Sequence, residues 1–361
     1  MVLREHKVEI GNPHLTTLEV NVYKLRVTGL ASVLFALAMV AWGQAKAPLV
    51  LLQSIPLPAL HDGDFDHFAV DLVGHRLFLT AEKNAAVEVF DLQKDKLIHT
   101  LTDIDEPHSM IYRTDLKKLF VIDGGAAEVK IYQGDTYKRL GAIKLEDDAD
   151  SMAYDPSTKY LYVVNGGKGA KMAYCLISIL DTTTDKKLAD IKIDSDSVEA
   201  LALEKSGPRM FVNITGKDAV GVVDREKRTV IATWPIGQEA KHNVAMAFDE
   251  AAHRLFISTS NPGRLIVLNS DSGAIVASLP CGRMVDDMAY DAKSKRIYVT
   301  GSDFVDVFQQ KDPDHFEHVG QVPSAFRAKT AILVPQLNRF YLAVPRHEDK
   351  SAEVRIFEVQ P

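Results

Sequence analysis

Along most of the chain apolar and polar residues alternate with a period of two, in short runs bounded by Asp, Gly, Ser, Lys and Pro, a pattern that predicts β-strands. Arg296 to Phe308, RIYVTGSDFVDVF, shows the unit: Ile297 and Val299 alternate with their neighbours, Gly301-Ser302-Asp303 supplies a turn, and Val305 to Phe308 resumes the alternation. The same hairpin returns six more times. Its first half recurs as RLFLTA, KLFVID, YLYVVN, RMFVNI, RLFIST and RFYLAV, and its second half as VEVFD, VKIYQ, LISILD, VGVVD, LIVLN and VRIFE.

Each hairpin is preceded by a further strand: FAVD, SMIY, SMAYD, ALALE, AMAFD, DMAYD and TAILV. Aligning them on Ala69, Ile111, Ala153, Ala202, Ala247, Ala289 and Ile332 gives spacings of 42, 42, 49, 45, 42 and 43 residues. That period is the size of a four-stranded propeller blade. A weaker fourth phrase follows six of the units (LIHTLTDI, RLGAIKLE, KLADIKID, VIATWPIG, IVASLPCG, HVGQVPSA). The seventh lies at the other end of the chain, where Leu51 to Pro56 matches Val276 to Pro280. The expected fold is therefore all-β: a seven-bladed β-propeller of four-stranded blades, its ring closed by an N-terminal strand that completes the last blade and removes the two free ends that a repeat array otherwise exposes. Open solenoids instead need polar capping repeats, which the sequence lacks.

The N-terminus reads differently. Lys24 and Arg26 precede the apolar run Val27 to Trp42, and Gly43-Gln44-Ala45-Lys46-Ala47-Pro48 follows with small residues suited to a signal peptidase. The run is shorter than the roughly 20 residues that span a bilayer. The expected organisation is an N-terminal extension and signal peptide over 1–45, cleaved after Ala45, and a single β-propeller domain over 46–361, periplasmic or secreted, with no stable membrane span after cleavage. Residues 1–22 fit an upstream start codon. The chain carries a formal charge of −7, and the mature part, with 38 basic against 46 acidic residues, −8. Without a Lys/Arg cluster this argues against nucleic acid. Cys175 and Cys281 fall in blades that are not neighbours, beyond disulfide reach, and are read as unpaired thiols.

Tyr298-Val299-Thr300-Gly301, Tyr162-Val163-Val164-Asn165 and Phe256-Ile257-Ser258-Thr259 resemble the YVTN repeat of the bacterial YncE-like β-propellers, over the chain from about residue 49 onward. The resemblance implies an exported seven-bladed propeller with a binding or unassigned role. The motif itself encodes a buried strand and a turn and carries no chemistry. Tryptophan-rich quinoprotein blades do not fit, since only Trp42 and Trp234 occur, and no third strand ends in the Trp-Asp of WD repeats.

Propeller function concentrates at the channel mouth, where residues just before the first strands converge. Three positions before each anchor stand Asp66, His108, Asp150, Glu199, Val244, Asp286 and Lys329, with His67, His242, Asn243 and Asp287 adjacent. Carboxylates and imidazoles are the ligand types of Zn, Mn or Ca sites. Polar residues at wet strand junctions also need no ligand, and Lys329 can serve to neutralise its acidic neighbours. Asp62-Gly63-Asp64-Phe65-Asp66 opens like a calcium loop, but His67 and Val73 occupy the positions of the required Gly and Glu, so it reads as an Asp-rich turn. Gly166 to Lys171 lacks phosphate-loop spacing and reads as a hairpin turn.

The leading expectation is a non-catalytic, monomeric binding or scaffold protein that takes a protein, peptide or small ligand at the channel mouth. The alternative is a metal-dependent, lactonase-like hydrolase, with Glu199, Asp150, Asn243 and His108 holding a divalent ion and Asp286 or Asp287 as base.

Overall fold

The structure, a computed structural model, describes residues 47–361; the expected signal peptide lies outside the described residues. Those residues form seven antiparallel four-stranded sheets. Blade 1 comprises Phe68–Asp71, Arg76–Ala81, Ala86–Asp91 and Lys96–Leu101. Blade 2 comprises Pro107–Arg113, Lys118–Asp123, Glu128–Gln133 and Arg139–Lys144, and blade 3 Met152–Asp155, Tyr160–Gly166, Cys175–Asp181 and Lys186–Ile193. Blade 4 is built from Leu201–Leu203, Arg209–Ile214, Ala219–Asp224 and Thr229–Pro235; blade 5 from Lys241–Asp249, Arg254–Asn261, Gly263–Asn269 and Ile275–Pro280; blade 6 from Val285–Asp291, Arg296–Gly301, Phe304–Gln310 and Phe316–Pro323. Blade 7 takes Thr330–Val334, Arg339–Val344 and Ala352–Val359 from the C-terminal end and Leu49–Leu57 from the N-terminal end. The last pairing runs antiparallel from Leu49 opposite Val359 to Leu57 opposite Ala352, as the sequence leads one to expect. The first strand of every blade contacts the first strands of both neighbours, so these seven strands surround one axis. Among the described residues no helix is long and apolar enough to cross a membrane.

Side-chain alternation explains the layers. Second and third strands are buried on both faces because each blade is sandwiched between two others, and Phe78, Phe120, Phe211, Phe256, Tyr298 and Phe340 fill the space between sheets. Fourth strands face solvent on one side and alternate accordingly, as in Thr229–Pro235. In all seven blades the outermost strand carries one extra residue against the third: Ile98, Leu140, Leu188, Ile231, Val276, Val319 and Leu52. A bulge at that position twists the edge and spoils it as a template for a foreign strand.

Turns are set by the Asp or Asn that ends a strand. Asp155 Oδ1 accepts from Ser157 N at 2.8 Å, Asp291 Oδ1 from Lys293 N at 3.0 Å and Asn269 Oδ1 from Asp271 N at 2.9 Å, each closing a turn locally.

On the face that carries these turns, a basic residue opening the second strand reaches into the next blade. Lys118 pairs with Asp185 at 2.6 Å, Arg209 Nη1 donates to the Ser270 carbonyl at 2.7 Å, Arg254 Nε donates to the Pro313 carbonyl at 2.8 Å, and Arg76 and Arg296 donate to the carbonyls of Gly134 and Gln360. Blade 3 has Tyr160 in that place, and Arg225 of blade 4 reaches back to Asp155 instead.

Candidate functional site

The opposite face carries the channel mouth. There the loops before the first strands and the turns between second and third strands enclose a cavity of about 620 Å³. Each of Asp66, His108, Asp150, Glu199, Val244, Asp286 and Lys329, one per blade, lines it. The repeat explains the convergence: equivalent positions on strands arranged around an axis point at the same place.

Within the ring, Asp66 is the centre of a hydrogen-bonded chain. Its Oδ2 lies 2.7 Å from His108 Nδ1 and its Oδ1 2.8 Å from His67 Nδ1. His108 Nδ1 is also 3.3 Å from Asp150 Oδ1, and His67 Nε2 is 3.9 Å from Asp287 Oδ1. Asp287 Oδ2 in turn accepts from Ala331 N at 2.8 Å. Lys329 Nζ stands 3.1 Å from Asp286 Oδ2. That oxygen has no well-aligned hydrogen-bond donor, so the contact is an ion pair rather than a directed bond. Gly124 fixes the His108 ring from behind: a Cβ there would come within 2.7 Å of the imidazole, so only glycine lets the turn approach so closely.

Proton affinities are displaced in both directions. Burial alone would raise Asp66, but the charges and hydrogen bonds of His67 and His108 override it and hold this carboxyl well below the usual range. Burial opposes the charge on His108, yet its hydrogen bond to Asp66 and the charge of Asp150 carry it to about 9. His67 is likewise raised well above its ordinary value, against burial, by Asp66. The remaining carboxylates move up. Burial, reinforced by the charges of Asp150 and Asp286, takes Glu199 to about 8. Burial takes Asp287 to about 7 and, with the charge of Asp66, Asp150 to about 6. His67 and His108 thus favour the charged form of Asp66, while burial and the neighbouring carboxylates favour the protonated form of Glu199.

The expected residues do not all face the cavity. His242 lines it, with its backbone N–H donating to Asp218 Oδ1 at 2.9 Å. His67 and Asp287 take part through the hydrogen-bonded chain and do not line the cavity. Asn243 is turned away: it is fully buried, and its Nδ2 donates to Asn213 Oδ1 at 2.8 Å and to the Ala219 carbonyl at 3.0 Å, joining blades 4 and 5. The ligand set Glu199, Asp150, Asn243 and His108 is therefore not assembled. The cause is its place in the repeat: Asn243 stands one residue before the ring position Val244, and the residues in that place in the other blades, among them Phe65, Ala149, Val198 and Ala328, are turned inward and buried as well.

Residues that the first-strand alignment missed come from other loops of the same face. Glu82, Asp64, Asp148, Lys168 and Asp196 also line the cavity, giving eight carboxylates against two lysines. A second alignment on the turn between second and third strands would have found Glu82 and Lys168. In the Asp-rich turn, Asp62 and Asp64 are taken by Arg327 of blade 7, which sits 3.4 Å from Asp64 Oδ1 through Nε. The Gly166 to Lys171 segment is a hairpin connection, and Cys175 and Cys281 are both free thiols.

No family model matches the chain, and no curated protein sequence matches it. Solved structures do. A chain of the hydrazine synthase of Kuenenia stuttgartiensis superposes with a TM-score of 0.68 at 14% identity, covering 79% of this chain and 93% of that one. A chain in a crystal structure of the mitotic checkpoint complex gives a TM-score of 0.72 at 14% identity, covering 95% of this chain and 99% of that one. At this identity the likeness shows the propeller fold alone.

Proposed function

We propose that this chain is an exported YVTN-type propeller that acts without catalysis, binding a positively charged group of a protein, peptide or small ligand at its channel mouth. The supporting observation is the convergence of one residue from each of seven blades on a single cavity with eight carboxylates and two lysines. Like charges crowded in a recess raise each other's proton affinity, and an incoming cation relieves that cost.

Replacing His108, Asp150 and Glu199 together by alanine is the direct test. The variant should keep the β-sheet circular dichroism and cooperative melting of the parent, since all three side chains line the cavity and none belongs to the apolar packing between sheets. It should also lose capture of partners from periplasmic extract, and the capture by the parent should weaken with added salt. Capture that survives the triple replacement unchanged rules out the channel mouth as the binding site.

A further inference from the structure

The mouth is not uniformly acidic, and the uneven part has a particular donor set. Blades 1, 2 and 3 contribute Asp66, His108 and Asp150, whose ligand-capable atoms all lie within 4.8 Å of one another. The imidazole is the shared element: His108 Nδ1 faces Asp66 Oδ2 at 2.7 Å and Asp150 Oδ1 at 3.3 Å. We infer that Asp66, His108 and Asp150 form a binding site for a divalent transition ion of the Zn²⁺ or Mn²⁺ type, open to the cavity on its remaining side. This rests on the channel-mouth reading and names the cation.

Three features of the surroundings carry it. The donors come from three successive blades, His108 from within a first strand and Asp66 and Asp150 from just before two others, where their backbone N–H groups donate to Thr80 and Val164 of the second strands, so the blades and not one loop set their separation. Behind them stand groups that orient the ligands, as metal sites require. His67 Nδ1 holds the other oxygen of Asp66 at 2.8 Å, and an imidazole nitrogen of His108 also lies within 4.8 Å of carboxylate oxygens of Glu82 and Glu106. Gly124 packs against the ring and limits its rotation. Finally, the composition selects the ion. One imidazole nitrogen with two carboxylate oxygens suits Zn²⁺ or Mn²⁺, whereas Ca²⁺ and Mg²⁺ favour all-oxygen shells.

The neighbouring group of Glu82, Glu106 and His108 shows why the ion belongs on the Asp66 side. Lys83 Nζ already sits 2.5 Å from Glu82 Oε1 and 2.6 Å from Glu106 Oε1, so an ammonium occupies the cation position there. On the Asp66 side no lysine or arginine pairs with Asp66 or Asp150 among the described residues. The cationic group facing both carboxylates there is the His108 imidazole, and an ion bound through Nδ1 displaces to solvent the proton that this nitrogen shares with Asp66.

Calorimetric titration of ZnCl₂ and of MnCl₂ into the full chain tests the site, beside Asp150→Asn, His108→Asn and, as a control, His315→Asn. His315 forms an exposed pair with Asp312 at 2.8 Å on a surface turn and reports adventitious binding. The expected result is one ion per chain for the parent and for His315→Asn, with affinity falling by roughly 100-fold or more in the other two, at least as much as outer-shell changes cost. Should His108→Asn fail to fold, Asp150→Asn decides alone, because the Asp150 side chain is 37% exposed and tolerates the change. No saturable binding at millimolar metal, or binding that only His315→Asn abolishes, overturns the site. Partner capture repeated in chelator separates the two readings. Metal binding without any capture retains the ion site and removes the partner-binding reading. Capture lost in the triple variant, with no metal bound by the parent, does the reverse.

Discussion

The two faces of the ring use charge in opposite ways. On the turn face, cations repeat from blade to blade, and in five blades the cation is matched by a carbonyl or carboxylate of the next sheet, as with Arg209 on Ser270 and Arg254 on Pro313. On the mouth face the equivalent positions vary, from Asp66, Asp150 and Asp286 through His108, Glu199 and Val244 to Lys329, and carboxylates outnumber the cations that could satisfy them. Repetition with satisfied partners marks the first face as joinery between blades. Diversity with unmatched charge marks the second as a place prepared for something else. At Tyr160, where blade 3 lacks that cation, a second cavity of about 430 Å³ lies between blades 3 and 4.

The contrast can be broken most forcefully on the turn face. Arg76→Ala removes the partner of Asp71, an ion pair at 2.7 Å in which both side chains are largely buried. Leaving that carboxylate unpaired should cost roughly 3–5 kcal/mol in denaturant unfolding while the folded fraction still binds at the mouth. A loss of binding without a loss of stability would reverse the assignment of faces. Next in size, Gly124→Ala pushes a methyl against the His108 ring and should cost about 1–3 kcal/mol, as overpacking does. It should also shift the imidazole resonances of His108 in NMR; unmoved resonances would mean that the glycine does not position the ring.

Glu199→Gln should do the opposite and stabilise. In the folded chain burial and its acidic neighbours raise Glu199 from 4.5 to about 8, so the native state holds a proton that the unfolded chain has released between those values. Its favourable contribution is complete below pH 4.5 and disappears as pH rises through about 8. The Gln variant should therefore melt a few degrees above the parent at pH 9 and match it at pH 5, with a flatter dependence between them. Identical pH profiles for parent and variant would show that the cavity is less crowded with charge than the geometry indicates. The smallest effect is expected at the rim. Leu140 is an exposed bulge residue, and Leu140→Thr should change stability by no more than about 0.5 kcal/mol. A larger loss would give the repeated bulge aliphatics a packing role between blades.

The blades and the closing strand were legible because a two-residue period and Asp- or Asn-led turns are local signals, and because Leu51 to Pro56 repeats a phrase found at Val276 to Pro280. The axial ring was legible for the same reason, and the offset of three found its seven members. Neighbouring positions were less so: Asn243 turns inward beside Val244 as Phe65, Ala149 and Val198 do beside their ring residues, whereas the backbone path around the mouth also depends on whether a strand carries an extra residue. Extra residues occur between Pro107 and Met110, between Asn243 and Met246 and between Val285 and Asp287. Whether a strand bulges depends on its partner, which a linear pattern does not record. The displaced proton affinities were illegible too, because they arise from groups brought together from three or more blades.

The pairing of Leu49–Leu57 with Ala352–Val359 also imposes an order in time. The strand synthesised first is the last to find its partner, because that partner comes from the end of the chain. Blades 1 to 6 can assemble as they emerge, but the seventh waits for both termini. A nascent, stalled or clipped polypeptide therefore cannot complete the ring, and the exposed sheet edges of such fragments distinguish them from finished molecules to any protease or chaperone. The closing strand thus ties completion of the last blade to the synthesis of Ala352–Val359.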